Sequence, residues 1–551
     1  MPGGERRYRW RRVVVAGAFA ALAWSAAYAK DSTGYIKEAE QYIAQGDLKA
    51  AEIQLRNAIR EAPQDPVLHA RLAEVYLQEG DASSAEREAR GARDRNGNEA
   101  DYLPVLADAL LRQEKFANLI DLVQPGDRDP VLESKLRTAL GTAAWGLVDR
   151  AKAETLLGEA VKLDPTAARP KIQLARLLSG TKPAEADKLI DEAIAANQHS
   201  AEALQVKSEM LRSRDDQEGA KRLLDEALKI DPKNISAHLS RADVNIALGK
   251  YKAADEDIDP ILKASPDQFM ANYLRGLELA KQEKYAEADG IFDHISPGFA
   301  AFWPGYYVQG ATKLKLGQYA QAEASLGKYR AHVPDDMGAA RLIATAALQQ
   351  QAAPRAIEYL KPLVDKMPAD AATLAVLGYA YMADRKPDLA LQQFQKAAAL
   401  EPDNPGAKTR VGISAIGAGQ SEQGRATLEQ VFGTEAGAPI AGPMLVVAEV
   451  RARRLDKAAE VAASLIERDP KNPIYHTLLG EVRAAQQDYS AAESALRAGL
   501  AINPDLTVAT RDLAQLYAAT GRTGEARILY NNLLAKTPMR LPPFSASPTH
   551  T

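Results

Sequence analysis

The sequence predicts an all-α solenoid, a stack of about fifteen helix hairpins. Three observations predict it: a composition suited to helix, a repeat of 34 residues, and small and large residues at fixed places in each repeat. At 551 residues the chain exceeds the roughly 250 to 300 at which one core stops growing, so it needs several domains or an extended array. Aromatics are only 6%, and Ala, Leu, Glu, Lys and Arg dominate. These residues lose little side-chain freedom in a helix, whereas β-branched residues lose more.

The first element read along the chain is a leader. Arg6, Arg7, Arg9, Arg11 and Arg12 precede an apolar stretch, Val13 to Trp24, and then Ala27-Tyr28-Ala29. A basic region, an apolar region and a small-x-small site are the parts of a secretory signal peptide over 1–29, with cleavage expected after Ala29. The other reading is an uncleaved membrane anchor, for which the apolar run is shorter than the roughly 20 residues a spanning helix needs. Cleavage takes away five arginines and Glu5, leaving a chain four charges more negative than the full-length value of −4. The chain has no cysteine, which excludes disulfides, thiolate metal sites and a lipid-modified cysteine. These features predict an exported, soluble, periplasmic protein of a Gram-negative cell. Acidic and basic residues are mixed along the rest of the chain, without the basic face that nucleic acid requires.

The repeat comes next. LAVLGYAYMADRKPDLALQQFQKAAALEP, residues 374–402, carries Leu377-Gly378, Tyr381, Ala390, Phe394, Ala397 and Pro402. Stepping from Ala390 by 34, with one shift of a single residue, reaches fifteen positions of which thirteen are alanine; Leu119 and Gly424 are the exceptions. The Gly378 position returns Gly141, Gly276, Gly310, Gly412 and Gly480, and the Pro402 position returns Pro63, Pro165, Pro232, Pro266, Pro334, Pro368, Pro470, Pro504 and Pro538.

Each position has a physical reason. Small residues at the Gly378 and Ala390 positions belong where the two helices of a hairpin, A and B, cross most closely. The large residue four beyond, such as Leu55, Leu157, Phe292, Leu326 or Phe394, is expected to fill the space toward the next hairpin. Proline stops helix B, since it lacks an amide hydrogen and clashes with the carbonyl four residues back. Gly46, Gly80, Gly249, Gly317 and Gly521 supply the left-handed residue that ends helix A. The array is expected over 30–540, with degenerate repeats around Phe116 to Pro130 and Gly424 to Pro439, and a disordered tail over 541–551.

These spacings resemble the tetratricopeptide (TPR) repeat. The resemblance implies a right-handed superhelix whose concave groove is lined by the second, fifth, ninth and twelfth residues of each A helix. On the middle repeats those residues are Leu239, Ile246, Tyr273, Leu277, Tyr307, Leu314, Tyr379 and Met382, an apolar stretch flanked by Glu202, Glu209, Arg212 and Glu481. An extended peptide or an amphipathic helix suits such a groove. A narrower resemblance covers the start of the mature chain. The run GDLKAAEIQLRNAIREAPQDPVLHARLAEVYLQEGDASSAEREARGA, followed by DYLPVLADALLRQEKF, is similar to the N-terminal repeats of the exosortase-associated (PEP-CTERM system) TPR proteins found with exopolysaccharide genes.

Catalytic patterns are absent. The chain has no H-E-x-x-H, no G-x-x-x-x-G-K-[ST], no G-x-S-x-G and no G-x-G-x-x-G. Its seven histidines fall in different repeats, too far apart in a solenoid to share a metal, and read as surface or packing residues. The acid pairs Asp255/Asp257 and Asp215/Asp216 read as solvated turns and helix starts. No enzyme activity, cofactor or metal is expected. Phe292, Phe299, Phe302, Trp303, Tyr306 and Tyr307 form an aromatic run that reads first as core filling and second as an anchor for a peptide or a sugar. The expected partners are therefore proteins or peptides in the groove, with polysaccharide as a second class. Membrane association would come only through partners or an uncleaved leader. The biological expectation is a scaffold for exopolysaccharide or surface-protein export. The alternative is a polymer-binding or cell-wall-binding protein of a cellulose- or alginate-type export system.

Overall fold

The computed structural model describes residues 32–197 and 199–536, so the expected leader and tail lie outside the described residues. Among the described residues are thirty α-helices, one 3-10 turn (Ser296–Ala300) and no strand. No described helix is long and apolar enough to cross a membrane. The chain divides into two compact units, Met1–Leu274 and Arg275–Thr551, with the boundary inside helix Phe269–Lys281. The first holds seven hairpins, from Ser32–Gln45 with Leu48–Glu61 to Ile235–Ala247 with Tyr251–Ala264. The second holds Tyr285–Ile295 and seven hairpins, from Pro304–Lys315 with Tyr319–His332 to Thr507–Ala519 with Thr523–Lys536.

The small positions explain the hairpin. A Cβ added to Gly378 would lie 2.7 Å from the Phe394 ring, and one on Gly141 would lie 2.7 Å from Leu157. On Gly310 it would meet Leu326 at 2.5 Å and the Ala322 carbonyl at 3.1 Å. The absent side chain therefore makes room for the B-helix backbone and for the large residue of the same hairpin. That residue also needs the following hairpin, as the sequence predicts. Leu55, Leu157, Leu224, Leu326, Phe394 and Leu496 are at most 2% exposed, whereas Tyr530 at the same place in the last hairpin is 36% exposed.

Helix ends follow the expected chemistry, with additions. The nine turn prolines from Pro63 to Pro504 each sit two residues beyond a B helix, and Pro538 lies outside the described residues. Proline is nevertheless also found inside helices, at Pro104, Pro260, Pro362 and Pro443, which the stop rule does not anticipate. The A-to-B turn uses a left-handed residue in fourteen hairpins, and only six of these are glycine. The others include Glu114, Asp215, Gln351 and Val148, whose φ of 65° is a strained value for a β-branched residue. Asp81, Asp149, Asp216 and Asp488 follow such residues and cap the B helix by accepting a backbone N–H.

Two expectations need correction. The repeat around Gly424 is regular: Pro405–Gly417 and Ser421–Phe432 form a full hairpin, and a Cβ on Gly424 would lie 2.5 Å from the Gly412 carbonyl oxygen. Glycine there permits a closer approach rather than a looser joint. In the repeat after Phe116 the B helix is cut to Phe116–Leu122. Asp257 is not solvated. It is 2% exposed and takes both Arg241, at 2.7 and 2.9 Å, and His238 Nδ1, at 2.6 Å.

The histidines and aromatics are chiefly structural. His69, His238 and His476 point Nε2 at the carbonyls of Pro63, Pro232 and Pro470, at 3.4, 3.1 and 2.9 Å. Asn272 donates to Pro266 O at 2.7 Å from the same place in its A helix, so this position ties the helix to the preceding turn. Phe292 and Phe299 are fully buried, in line with core filling. Trp303 stacks on His332 at 5.9 Å, and Tyr307 meets Tyr329 edge-on at 5.1 Å, so these rings are half-buried in one another.

Candidate functional site

Residues 2, 5, 9 and 12 of an A helix fall on one side of it, since seven residues make two turns. They do not share one environment. Second and ninth residues face solvent: Val67 is 42% exposed, Tyr379 48%, Ile413 37% and Ile474 42%. Several fifth and twelfth residues are instead covered, among them Ala70, Thr138, Ile172 and Leu77.

This division sorts the predicted groove residues. Leu239 and Ile246, at the fifth and twelfth positions, are 9% and 2% exposed and belong to the core, which corrects their assignment to the groove. Tyr273, Leu277, Tyr307, Leu314 and Met382 are half-buried. The Tyr273 phenol is pushed up to about 12 by burial, with Asp243 adding to it. Tyr379 is exposed and rests its ring edge-on against Phe394 at 5.3 Å.

The exposed apolar surface lies further along the second unit. Ile440, Met444 and Val447 make a stripe at i, i+4 and i+7 on helix Ala438–Arg451, at 44%, 40% and 37% exposure. The A helices of the last four hairpins touch in sequence, so Ile413 and Val447 form one row and Ile440, Ile474 and Val508 another. Stepping by 34 from Tyr379 reaches Ile413 and Val447, which is the signal in the sequence that finds them.

The first unit carries charge on the same face. Its ninth positions are Glu40, Glu74, Asp108, Thr142, Arg176, Glu209 and Asp243. Ion pairs run from hairpin to hairpin: Glu40 with Arg71, Arg176 with Glu209 at 3.3 Å, and Arg212 with Asp243. Arg169 grips Asp108 with two bonds of 2.9 Å across an intervening hairpin. A cavity of about 500 Å³ opens here, lined by Glu74, Asp108, Arg112, Lys135, Thr138 and Arg169. Burial raises the Glu74 carboxyl, against the pull of Arg71.

Family comparison agrees with this geometry. Two models, both described as tetratricopeptide repeat, match the chain, one over 239–292, 307–371 and 444–507 and the other over 42–109 and 483–546. The chain belongs to the tetratricopeptide-repeat superfamily. TPR arrays bind protein partners, and this chain is a protein-interaction scaffold of that kind. No curated protein matches it in sequence. Among solved structures it is similar to a chain of the APC/C hetero-tetramer Cut9–Hcn1, with 15% identity over 90% of this chain and 98% of that one, at a TM-score of 0.48. It is also similar to PilW, described as a widely conserved type IV pilus biogenesis factor. There the identity is 22% over 37% of this chain and 94% of that one, at a TM-score of 0.34.

Proposed function

We propose that this chain is a non-catalytic TPR scaffold, exported to the periplasm, which holds proteins of an exopolysaccharide or surface-protein export assembly on its A-helix faces. The observation that carries the binding role is the pair of exposed aliphatic rows in the second unit. Solvated Ile440, Met444, Val447 and Ile474 contribute little to the core and become favourable on burial by a partner. Export is supported by the arginine cluster, the apolar stretch and Ala27-Tyr28-Ala29. The exopolysaccharide setting is supported by the likeness of the first repeats to the exosortase-associated TPR proteins.

Affinity capture from periplasmic extract with the full chain tests this reading, beside a variant carrying Ile440→Asp and Val447→Asp. Captured export-machinery proteins that the folded variant loses support it. An identical set on both proteins removes the A-helix face from the proposal. Polysaccharide retained in place of protein would favour the polymer-binding alternative. Fractionation of cells for the tagged chain tests the compartment, and a cytoplasmic chain would sink the export role.

A further inference from the structure

The aliphatic rows of the second unit end at a pair of acids. Along the last four A helices the ninth position reads Ile413, Val447, Glu481 and Gln515, so the row changes from apolar to acidic one hairpin after Val447. Glu481, on Pro473–Ala485, and Asp512, on Thr507–Ala519, line one cavity of about 500 Å³ with Tyr489, Arg511 and Gln515 at its walls. Asp512 is the more sheltered acid, its side chain 11% exposed. Its Oδ1 accepts from Arg511 at 2.9 Å, while its buried Oδ2 receives no N–H, and the Glu481 carboxyl is hydrogen-bonded to this acid.

A buried carboxylate oxygen that meets only a second carboxyl favours whatever supplies an N–H or a proton. Glu481 supplies the proton. Its carboxyl is pushed up to about 7, first by burial and then by Asp512, while Arg511 pulls the other way. Two carboxylates and one guanidinium leave the cavity short of positive charge. Tyr489, 43% exposed at its wall, adds a ring face that attracts cations. An anion would meet repulsion here, and a sugar would find a single aromatic ring.

We propose that the last three A helices form a docking groove for an amphipathic peptide segment. Its aliphatic side chains lie on Ile440, Val447 and Ile474, and its lysine or arginine enters the Glu481–Asp512 cavity. The aliphatic rungs supply contact area, and the acids set the direction and the identity of the segment. This rests on the reading that the A-helix face receives protein partners. It adds the chemistry of the partner and the place where that chemistry is read.

The test pans the full chain against a random peptide library displayed on phage. Enriched peptides are then made synthetically and titrated at pH 6 and pH 8 against wild type, Glu481→Gln and Val447→Asp. Enriched peptides are expected to combine aliphatic residues with a lysine or arginine. Changing that basic residue to glutamine should weaken binding at least about tenfold, and so should Glu481→Gln. Wild-type affinity should rise from pH 6 to pH 8 as Glu481 loses its proton, and Glu481→Gln should remove most of that rise. Val447→Asp should weaken binding by about 30-fold or more, with Ile440→Asp as a second variant if the first fails to fold. Peptides that need Val447 but ignore both the basic residue and Glu481 overturn this inference and leave the scaffold reading standing. Acidic enriched peptides overturn it too. Failure to enrich any peptide, or binding indifferent to Val447, overturns both.

Discussion

The two units use one hairpin design and present different faces. In the first, six of the seven ninth-position residues are charged, from Glu40 to Asp243. In the second, the same position reads Leu277, Ala311, Thr345, Tyr379, Ile413, Val447, Glu481 and Gln515, with one charge among eight. Packing positions show no such contrast. Gly141 lies under Leu157 in the first unit as Gly378 lies under Phe394 in the second. The fold constrains residues that must fit between helices and leaves solvent-facing positions free, so surface chemistry can change along the chain at no cost to the core.

The largest expected effect tests the shared half of that comparison. Gly141→Val and Gly378→Val should each destabilise their unit by about 3 kcal/mol, since an added side chain meets a buried neighbour and the helix backbone. Hydrogen exchange, which reports local opening, should place each loss around the substituted hairpin. A loss confined to one of the two variants would break the claim of common packing.

The next effect tests the difference. Val447→Asp should weaken binding of a groove-selected peptide by about 30-fold or more, the scale of an interface hot spot. Asp108→Ala in the first unit should leave that binding unchanged, as measured by the same titration. Equal losses from both would mean that the two faces act as one surface.

A smaller effect concerns the polar ties between hairpins, which recur in both units. Glu493 accepts from Arg497, Arg522 and Tyr517, as Glu52 does from Lys49 and Tyr76. Arg522, then Tyr517, hold the Glu493 carboxyl down at about 2, well below its ordinary range. A depressed carboxyl stabilises the fold above its unfolded-state value near 4.5 and loses that contribution as pH falls through about 2. Glu493→Gln should therefore cost about 1 kcal/mol at pH 7 in urea unfolding, discounted for its partial exposure, and the gap should close toward pH 2. Glu481 runs in the opposite sense. Its raised carboxyl makes stability fall as pH rises from about 4.5 to 7, and Glu481→Gln should flatten that slope.

The smallest effect is a gain. Val148 holds φ at 65° with its side chain 87% exposed, so it carries strain without a packing return. Val148→Gly should raise stability by roughly 0.5–1 kcal/mol, the left-handed penalty less the entropy of glycine. Gly249→Val, at the same turn, should lower it. Thermal unfolding of both variants checks the pair.

Much of this protein is legible in its sequence. The period of 34 residues, the alanines from Ala51 to Ala526 and the turn prolines give the hairpins nearly to the residue, because each solves a local steric problem that recurs in every repeat. The turn glycines are also legible, although eight further turns adopt the same conformation without glycine. Backbone bonds back to the end of helix A hold those turns, as Glu114 N–H to Leu111 O and Lys115 N–H to Leu110 O do. The candidate site was legible only in part. Periodicity places Tyr379 on the exposed face, yet it gives Leu239 and Ile246 the same standing, and both are buried.

The all-helical class, the register of the repeat and the places of its small, large and helix-ending residues follow from the order of amino acids, since these depend on contacts within one hairpin. Tertiary structure decided which side of each A helix meets water, because that depends on the angle at which one hairpin lies on the next. It also decided that Glu481 and Asp512, thirty-one residues apart, share one cavity, since only the stacking of two hairpins brings their carboxyls together.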